Sequence, residues 1–173
     1  MTWKQCRWET LVEQSFRLIQ QVGGLFLVTE GKAGKPNVMS IGWMTVGIVW
    51  RRPVAVVLVR PSRYTYHLLE ENPTFTVNLP AETMKEEIEI CGSYSGRDTD
   101  KFARCRFTPR YLEGAKAPVI EECRVAALCS VIQKTRVEPS TFSIPIVTEF
   151  YPRDDFHFIY FGEIQKAWQK EED

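Results

Sequence analysis

The chain has 173 residues, 44% hydrophobic and 25% charged, which is typical of one globular domain with a substantial core. Its 22 basic and 22 acidic residues cancel, and this balance argues against a nucleic-acid or membrane partner. Five cysteines without a Cys-x-x-Cys pair, two histidines and no visible secretion signal predict a cytoplasmic protein with reduced thiols and no metal site.

The first part of the chain combines one amphipathic helix with several strands. Apolar residues recur at helical spacing from Trp8 to Val22, and the following Gly23-Gly24 is typical of a helix end. Strands are then predicted over 25–29, over 37–49 as one long or two short strands, and over 54–60 as a strand buried on both faces. The glycine-rich segment 30–36 is predicted to be a hairpin loop, and 51–53 a break.

Short helices and strands follow one another in the rest of the chain. The predicted elements are a helix over 62–71 capped by Ser62, a strand over 74–79, a helix from Pro80 to about Gly92, a helix over 98–104 capped by Asp98, and strands over 124–137 and 156–168. The proline-containing segment 138–155 is predicted to be a long loop. Strands separated by short helices, without regular βαβ alternation, predict a single mainly-β domain of the α+β class over residues 1–173.

Residues 91–102 form the most informative segment, Cys-Gly-Ser-Tyr-Ser-Gly-Arg-Asp-Thr-Asp-Lys-Phe. Its cationic side chains and backbone N–H groups suit a phosphate, and its glycines permit close approach. The alternative is a polar loop in which Asp98 caps a helix and Lys101 is solvated. We interpret Cys91 as a small buried residue at a helix end, because no other cysteine or histidine is close to it in sequence.

Two further segments have both a functional and a structural interpretation. The sequence Arg-Pro-Ser-Arg-Tyr-Thr at 60–65 joins a strand end to a helix start, where an anion can bind, but it is equally consistent with a helix cap and solvated arginines. The sequence Asn-Val-Met-Ser-Ile-Gly-Trp at 37–43 is consistent with an ordinary strand. Gly42 would also allow a planar ring to approach the backbone.

Together these segments resemble the flavin reductase-like, FMN-binding split-barrel proteins, which include the flavoredoxins, over roughly Gly24 to Lys166. The resemblance implies a split β-barrel with short flanking helices and FMN as the cofactor, with no catalytic side chain and no metal ligand. The cationic segments would hold the phosphate and ribityl chain, and the 37–43 strand would meet the isoalloxazine. The implied FMN-binding residues are Asn37, Met39, Ser40, Ile41, Trp43, Arg60, Ser62, Arg63, Tyr64, Thr65, Asn78, Leu79, Ser95, Gly96, Arg97, Asp98, Lys101, Phe102 and His157.

The resemblance also implies an activity and an assembly. It favours an NAD(P)H-dependent flavin reductase that transfers hydride to bound FMN. The alternatives are a flavoredoxin-type electron carrier for a protein partner, and a non-catalytic flavin-binding barrel. A homodimer with the flavin at its interface is expected. The segment 138–155 is longer than usual for the family, and the chain stops at Asp173 without a further tail, so a more open flavin face is expected.

Overall fold

The computed structural model describes residues 1–171, in which strands dominate. The strands are β1 (Thr2–Cys6), β2 (Leu25–Glu30), β3 (Pro36–Ile41), β4 (Met44–Val49), β5 (Arg52–Val59), β6 (Thr74–Leu79), β7 (Pro109–Arg110), β8 (Val119–Ile120), β9 (Val125–Arg136) and β10 (Phe158–Glu171). The helices are α1 (Glu9–Val22), α2 (Tyr64–Glu71), α3 (Lys85–Ser93), α4 (Lys101–Cys105), a 3₁₀ helix (Pro139–Thr141) and α5 (Ile144–Phe150). None of the helices within residues 1–171 is both long and apolar enough to cross a membrane.

Eight of the strands form one antiparallel sheet: seven follow the order β3-β2-β6-β9-β10-β5-β4, and β1 pairs with β10 outside this order. β10 is its centre: β9 pairs along one edge, and β5 and then β1 pair along the other, from Phe158↔Val59 to Thr2↔Glu171. Within residues 1–171, the end strands β3 and β4 are not hydrogen-bonded to each other, so the curled sheet stays split. The predicted mainly-β class and split-barrel architecture are therefore confirmed.

Helix α1 covers the core side of the sheet, as its amphipathic pattern predicts. Leu11, Leu18 and Val22 are buried, and the helix packs against β2, β4, β6 and β9. It ends at Gly23, which has a φ of 88° and donates its N–H to the carbonyl of Ile19. Each such apolar side chain contributes about 1.5–3 kcal/mol when fully buried. The helix therefore secures the barrel wall rather than forming part of the cleft described below.

The helix starts in the central region differ from the predictions. Ser62 does not cap α2; its hydroxyl instead donates to Asp155 Oδ2 at 2.5 Å. Helix α4 is capped by Asp100, whose carboxylate accepts from the N–H of Ala103 at 3.0 Å, and not by Asp98. Helix α3 starts five residues after Pro80, because a turn intervenes.

Other differences concern strands and the segment 138–155. β1 and the short β7–β8 hairpin were not predicted, and 138–155 contains a 3₁₀ helix and α5 instead of a continuous loop. The predicted break at 51–53 is a tight turn at Trp50 and Arg51, whose φ values are 51° and 61°. Pro53 lies inside β5, opposite Ile48 and just beyond the last residue paired with β10, where no N–H is needed on that side.

Candidate functional site

A continuous cleft opens beside the Gly42-Trp43 connection between the two end strands. One part, the histidine pocket, has a volume of about 160 Å³ and is lined by residues 39–43, Leu58, Arg60, Arg63 and His157. The other, the loop pocket, has a volume of about 290 Å³ and is lined by residues 39–40, 62–65, 91–98 and Lys101. The pockets share Met39, Ser40 and Arg63, so a ligand with two unlike ends can occupy both.

Three cations surround the loop pocket. Arg63 Nη1 donates to the carbonyl of Gly92, and Arg97 Nη1 donates to the carbonyl of Ser62, each at 2.9 Å. Lys101 is only 5% exposed, and its Nζ lies 3.4 Å from the carbonyl oxygen of Cys91. Within the described part of the chain, no carboxylate forms an ion pair with any of these three side chains. The pocket is therefore a cationic site suited to an anion with more than one negative charge.

The environment of Lys101 makes its charge sensitive to what the pocket contains. Burial, together with the nearby positive charge of Arg63, lowers the pKa of Lys101 to about 8. A bound anion would have the opposite effect. A change in Lys101 protonation is therefore expected to accompany ligand binding.

Glycines close the loop around this pocket against β3. A Cβ at Gly92 would lie 2.6 Å from Ser40 Oγ, and a Cβ at Gly96 would collide with Asn37 Oδ1. Asn37 in turn donates from Nδ2 to Thr65 Oγ1 at 2.9 Å, and both side chains are buried. The glycines are thus required for packing of the loop on the strand, whether or not a ligand also approaches them.

Aromatic side chains form one wall of the histidine pocket. The rings of Trp43 and His157 are 4.9 Å apart, and the ring of Phe150 packs edge-on against Trp43 at 5.2 Å. The Tyr151 hydroxyl hydrogen-bonds His157 Nδ1 at 2.9 Å. Burial lowers the pKa of His157 to about 4, with a further contribution from Arg60, so the imidazole is neutral at pH 7.

Most of the predicted FMN-binding residues meet in this cleft. Its walls include Met39, Ser40, Ile41, Trp43, Arg60, Ser62, Arg63, Tyr64, Thr65, Ser95, Gly96, Arg97, Asp98, Lys101 and His157. Asn37 and Phe102 lie behind it, around a side cavity of about 40 Å³.

Asn78 and Leu79 do not line the cleft but are buried in β6. The Asn78 side chain donates to Thr76 Oγ1 and accepts from the N–H of Ile120, each at 2.9 Å, so its amide serves the core. Sequence reasoning missed Phe150 and Tyr151, because the segment that carries them has no periodic pattern or known motif. Their only signal was that 138–155 contains three aromatic residues and lies just before His157 in the chain.

The family model of the flavin reductase like domain matches residues 21–173, and the chain therefore belongs to this family. The structure is similar to the flavoredoxin of Desulfovibrio vulgaris (Miyazaki F), with 26% identity, a TM-score of 0.67, and coverage of 86% of this chain and 69% of that one. It is similar to the flavoredoxin from Methanosarcina acetivorans, with 29% identity, a TM-score of 0.68, and coverage of 86% and 68%. The resemblance recognised in the sequence is confirmed.

Two curated relatives are known only as uncharacterised proteins. One, from Archaeoglobus fulgidus, is 27% identical over 119 residues, which are 69% of this chain and 66% of the relative. The other, YddH of Escherichia coli (strain K12), is 27% identical over 121 residues, which are 69% of this chain and 61% of the relative. The matches thus span about two thirds of the length of these relatives.

Proposed function

We propose that the protein binds FMN in the cleft and catalyses its reduction by NADH or NADPH. The observation that carries this proposal is the juxtaposition of three cations, which form no ion pair among the described residues, with an adjoining pocket walled by Trp43 and His157. Arg63, Arg97 and Lys101 would hold the phosphate, and the strand residues 39–43 would contact the ring system. A terminal phosphate carries two negative charges near pH 7, which favours FMN over FAD at such a site.

Bound FMN would supply the two-electron redox chemistry. The contribution of the chain is to bind, orient and shield the reacting groups, since alignment of two reactants can supply a large part of the barrier reduction. We assign no acid–base step to a side chain. The low pKa of His157 is consistent with this assignment, because its imidazole is neutral at pH 7 and cannot act as a general acid in the imidazolium form.

An electron carrier for a protein partner is the second candidate. The similarity to two flavoredoxins at 26% and 29% identity favours it. In this role the same cleft would hold FMN tightly, and electrons would pass to and from a docked protein.

We also propose a cytoplasmic homodimer. Ile48 and Trp50 are 61% and 60% exposed at the end of the split sheet, and Trp50 packs beside Phe161 with ring centroids 5.6 Å apart. Exposed apolar surface of this kind supports self-association. The cytoplasmic location is supported by the five cysteines, which are all free. Sedimentation of the FMN-bound protein at micromolar concentration tests the dimer, and a monomer with FMN fully bound would contradict it.

The function is tested by an absorbance spectrum of the purified protein, followed by anaerobic addition of NADH or NADPH. A flavin spectrum that bleaches rapidly with either nicotinamide is the expected result. Bleaching only with a protein donor would replace the reductase by the carrier. FMN that binds but is reduced by neither would leave the non-catalytic flavin-binding barrel. If added FMN does not bind at all, the proposal is wrong.

A further inference from the structure

The C-terminal part of segment 138–155 contacts three residues that line the histidine pocket, Trp43, Arg60 and His157. The 3₁₀ helix and α5 contain no buried residue, whereas Tyr151 and Phe156, just beyond α5, are each only 4% exposed. The segment therefore contributes to the protein through its C-terminal end, where it meets the cleft.

Arg60 holds this end in place. Its guanidinium donates to the carbonyls of Asp155 at 2.7 Å and Phe150 at 2.8 Å. The guanidinium carbon also lies 5.0 Å from the centroid of the Tyr151 ring. The Tyr151 ring also stacks on Phe156 with centroids 4.6 Å apart and an interplanar angle of 25°. Because Tyr151 is only 4% exposed and packs against both side chains, the ring has little freedom and its hydroxyl is held at one position.

That position is next to His157 Nδ1. The distance from Tyr151 Oη to Nδ1 is 2.9 Å, and Nδ1 is the imidazole nitrogen of His157 that has a hydrogen-bond partner within residues 1–171. Nε2 is not among the fully buried polar atoms that lack a hydrogen-bond partner in this part of the chain. Because His157 lines the histidine pocket, Nε2 is available to a ligand there.

The charges around the imidazole favour its neutral form. Arg60 at the end of β5 and Arg63 at the start of α2 oppose protonation, while Asp155 on the adjoining segment opposes them only in part. A phenol is a better hydrogen-bond donor than a neutral imidazole is, and a neutral imidazole offers one acceptor nitrogen. With the Tyr151 hydroxyl donating to Nδ1, the single imidazole proton must be on Nε2.

We propose that Tyr151 is a positioning residue: it fixes His157 in the tautomer protonated at Nε2, so that His157 presents a neutral hydrogen-bond donor to an acceptor atom of the ligand in the histidine pocket. The identity of that ligand as FMN rests on the proposed function, but the tautomer does not. A neutral donor can bond a ring nitrogen or carbonyl oxygen without adding a positive charge to the pocket.

The tautomer is measured by nitrogen-15 NMR of the imidazoles in the FMN-free protein at pH 7. His67→Gln removes the other histidine and so assigns the signals. We expect His157 to carry its proton on Nε2, and Tyr151→Phe to give an average of both tautomers. Tyr111→Phe, at an exposed tyrosine whose hydroxyl donates to Glu30, should leave the His157 signals unchanged. A proton on Nδ1 in the wild type, or no change in Tyr151→Phe, would overturn the proposal.

The role toward the ligand is measured by FMN titration. Tyr151→Phe and His157→Phe should each raise the Kd for FMN by about two- to tenfold, the effect of one neutral hydrogen bond. The double variant should bind no worse than His157→Phe alone, because Tyr151 acts through the imidazole. Additive losses would refute the positioning role. If wild-type protein does not bind FMN, the proposed function fails, while the NMR result still decides the tautomer.

Discussion

Lys101→Met should raise the Kd for FMN by about 10- to 150-fold and leave the FMN-free protein at least as stable as the wild type. A hydrogen bond to a charged group contributes about 1.5–3 kcal/mol, and each 1.4 kcal/mol is about tenfold in affinity. Within residues 1–171, the hydrogen-bond partner of the buried ammonium is the Cys91 carbonyl at 3.4 Å, and the lowered pKa of Lys101 indicates that its charge is unfavourable there. Methionine fills a similar space without a charge, so Lys101→Met weakens FMN binding while it preserves the packing.

The same residue predicts the pH dependence of binding. With a pKa of about 8 in the free protein, Lys101 loses its proton as the pH rises through 8, and a phosphate dianion binds the protonated form. FMN affinity should therefore fall between pH 7 and 9 in the wild type and change much less in Lys101→Met. The phosphate itself titrates near pH 6, below this window.

Fluorescence titration of FMN against each protein at several pH values, with thermal unfolding of the FMN-free proteins, gives both quantities. Lys32→Met, at an exposed lysine in the β2–β3 loop, is the matched control and should behave as the wild type. Unchanged FMN affinity in Lys101→Met would remove Lys101 from the phosphate site.

Gly162→Ala should lower the free energy of unfolding by about 1–3 kcal/mol, the usual cost of overfilling a packed core. A Cβ at this position would lie 2.7 Å from Phe75 Cε1 and 2.9 Å from Cys129 Cβ, and would be closer still to Phe75 Cζ. Phe75 and Cys129 are fully buried, and Gly162 follows an irregularity in the β9–β10 register, so neither neighbour has space to retreat.

Gly47→Ala provides the matched control, because it also changes a strand glycine to alanine. A Cβ at Gly47, in end strand β4, would meet nothing within 4 Å. The free energy of unfolding of Gly47→Ala should therefore stay within about 0.5 kcal/mol of the wild type. Urea denaturation, monitored by tryptophan fluorescence, gives the free energy of unfolding of both variants. Equal stability of both would show that the β10 centre tolerates a side chain and that the described packing is wrong.

Local sequence patterns predict the elements whose apolar residues repeat at a regular spacing. Helix α1, with helical spacing, and strand β6, with alternating spacing, are examples. β1 was not predictable in this way, because its residues stay largely exposed and its partner lies more than 160 positions away, at Glu171. The turn at Trp50 and Arg51 was predicted only as a break at 51–53. Its two positive φ values had no signal in the sequence, since such values normally require glycine or asparagine.

The candidate site was predictable where cations and glycines form motifs, and not where the fold alone brings residues together. Cys91 is buried, as expected, but its Sγ lies 3.9 Å from Sγ of Cys105, which the sequence separates by 14 positions. Burial raises the pKa of both thiols, which keeps them protonated and poorly nucleophilic. The contact between Tyr151 and His157 was likewise not predictable, because it depends on the path of segment 138–155 in the folded protein.

The central position of β10 in the sheet has a consequence for synthesis on the ribosome. Residues 158–171 are translated after every strand they join, yet β9, β5 and β1 have no common neighbour until β10 lies between them. During translation the emerging chain therefore exposes unpaired strand edges, which are sites of intermolecular pairing. Insertion of β10 joins the β3-β2-β6-β9 ribbon, the β5–β4 hairpin and β1 into one sheet, so completion of the barrel is a late, long-range event.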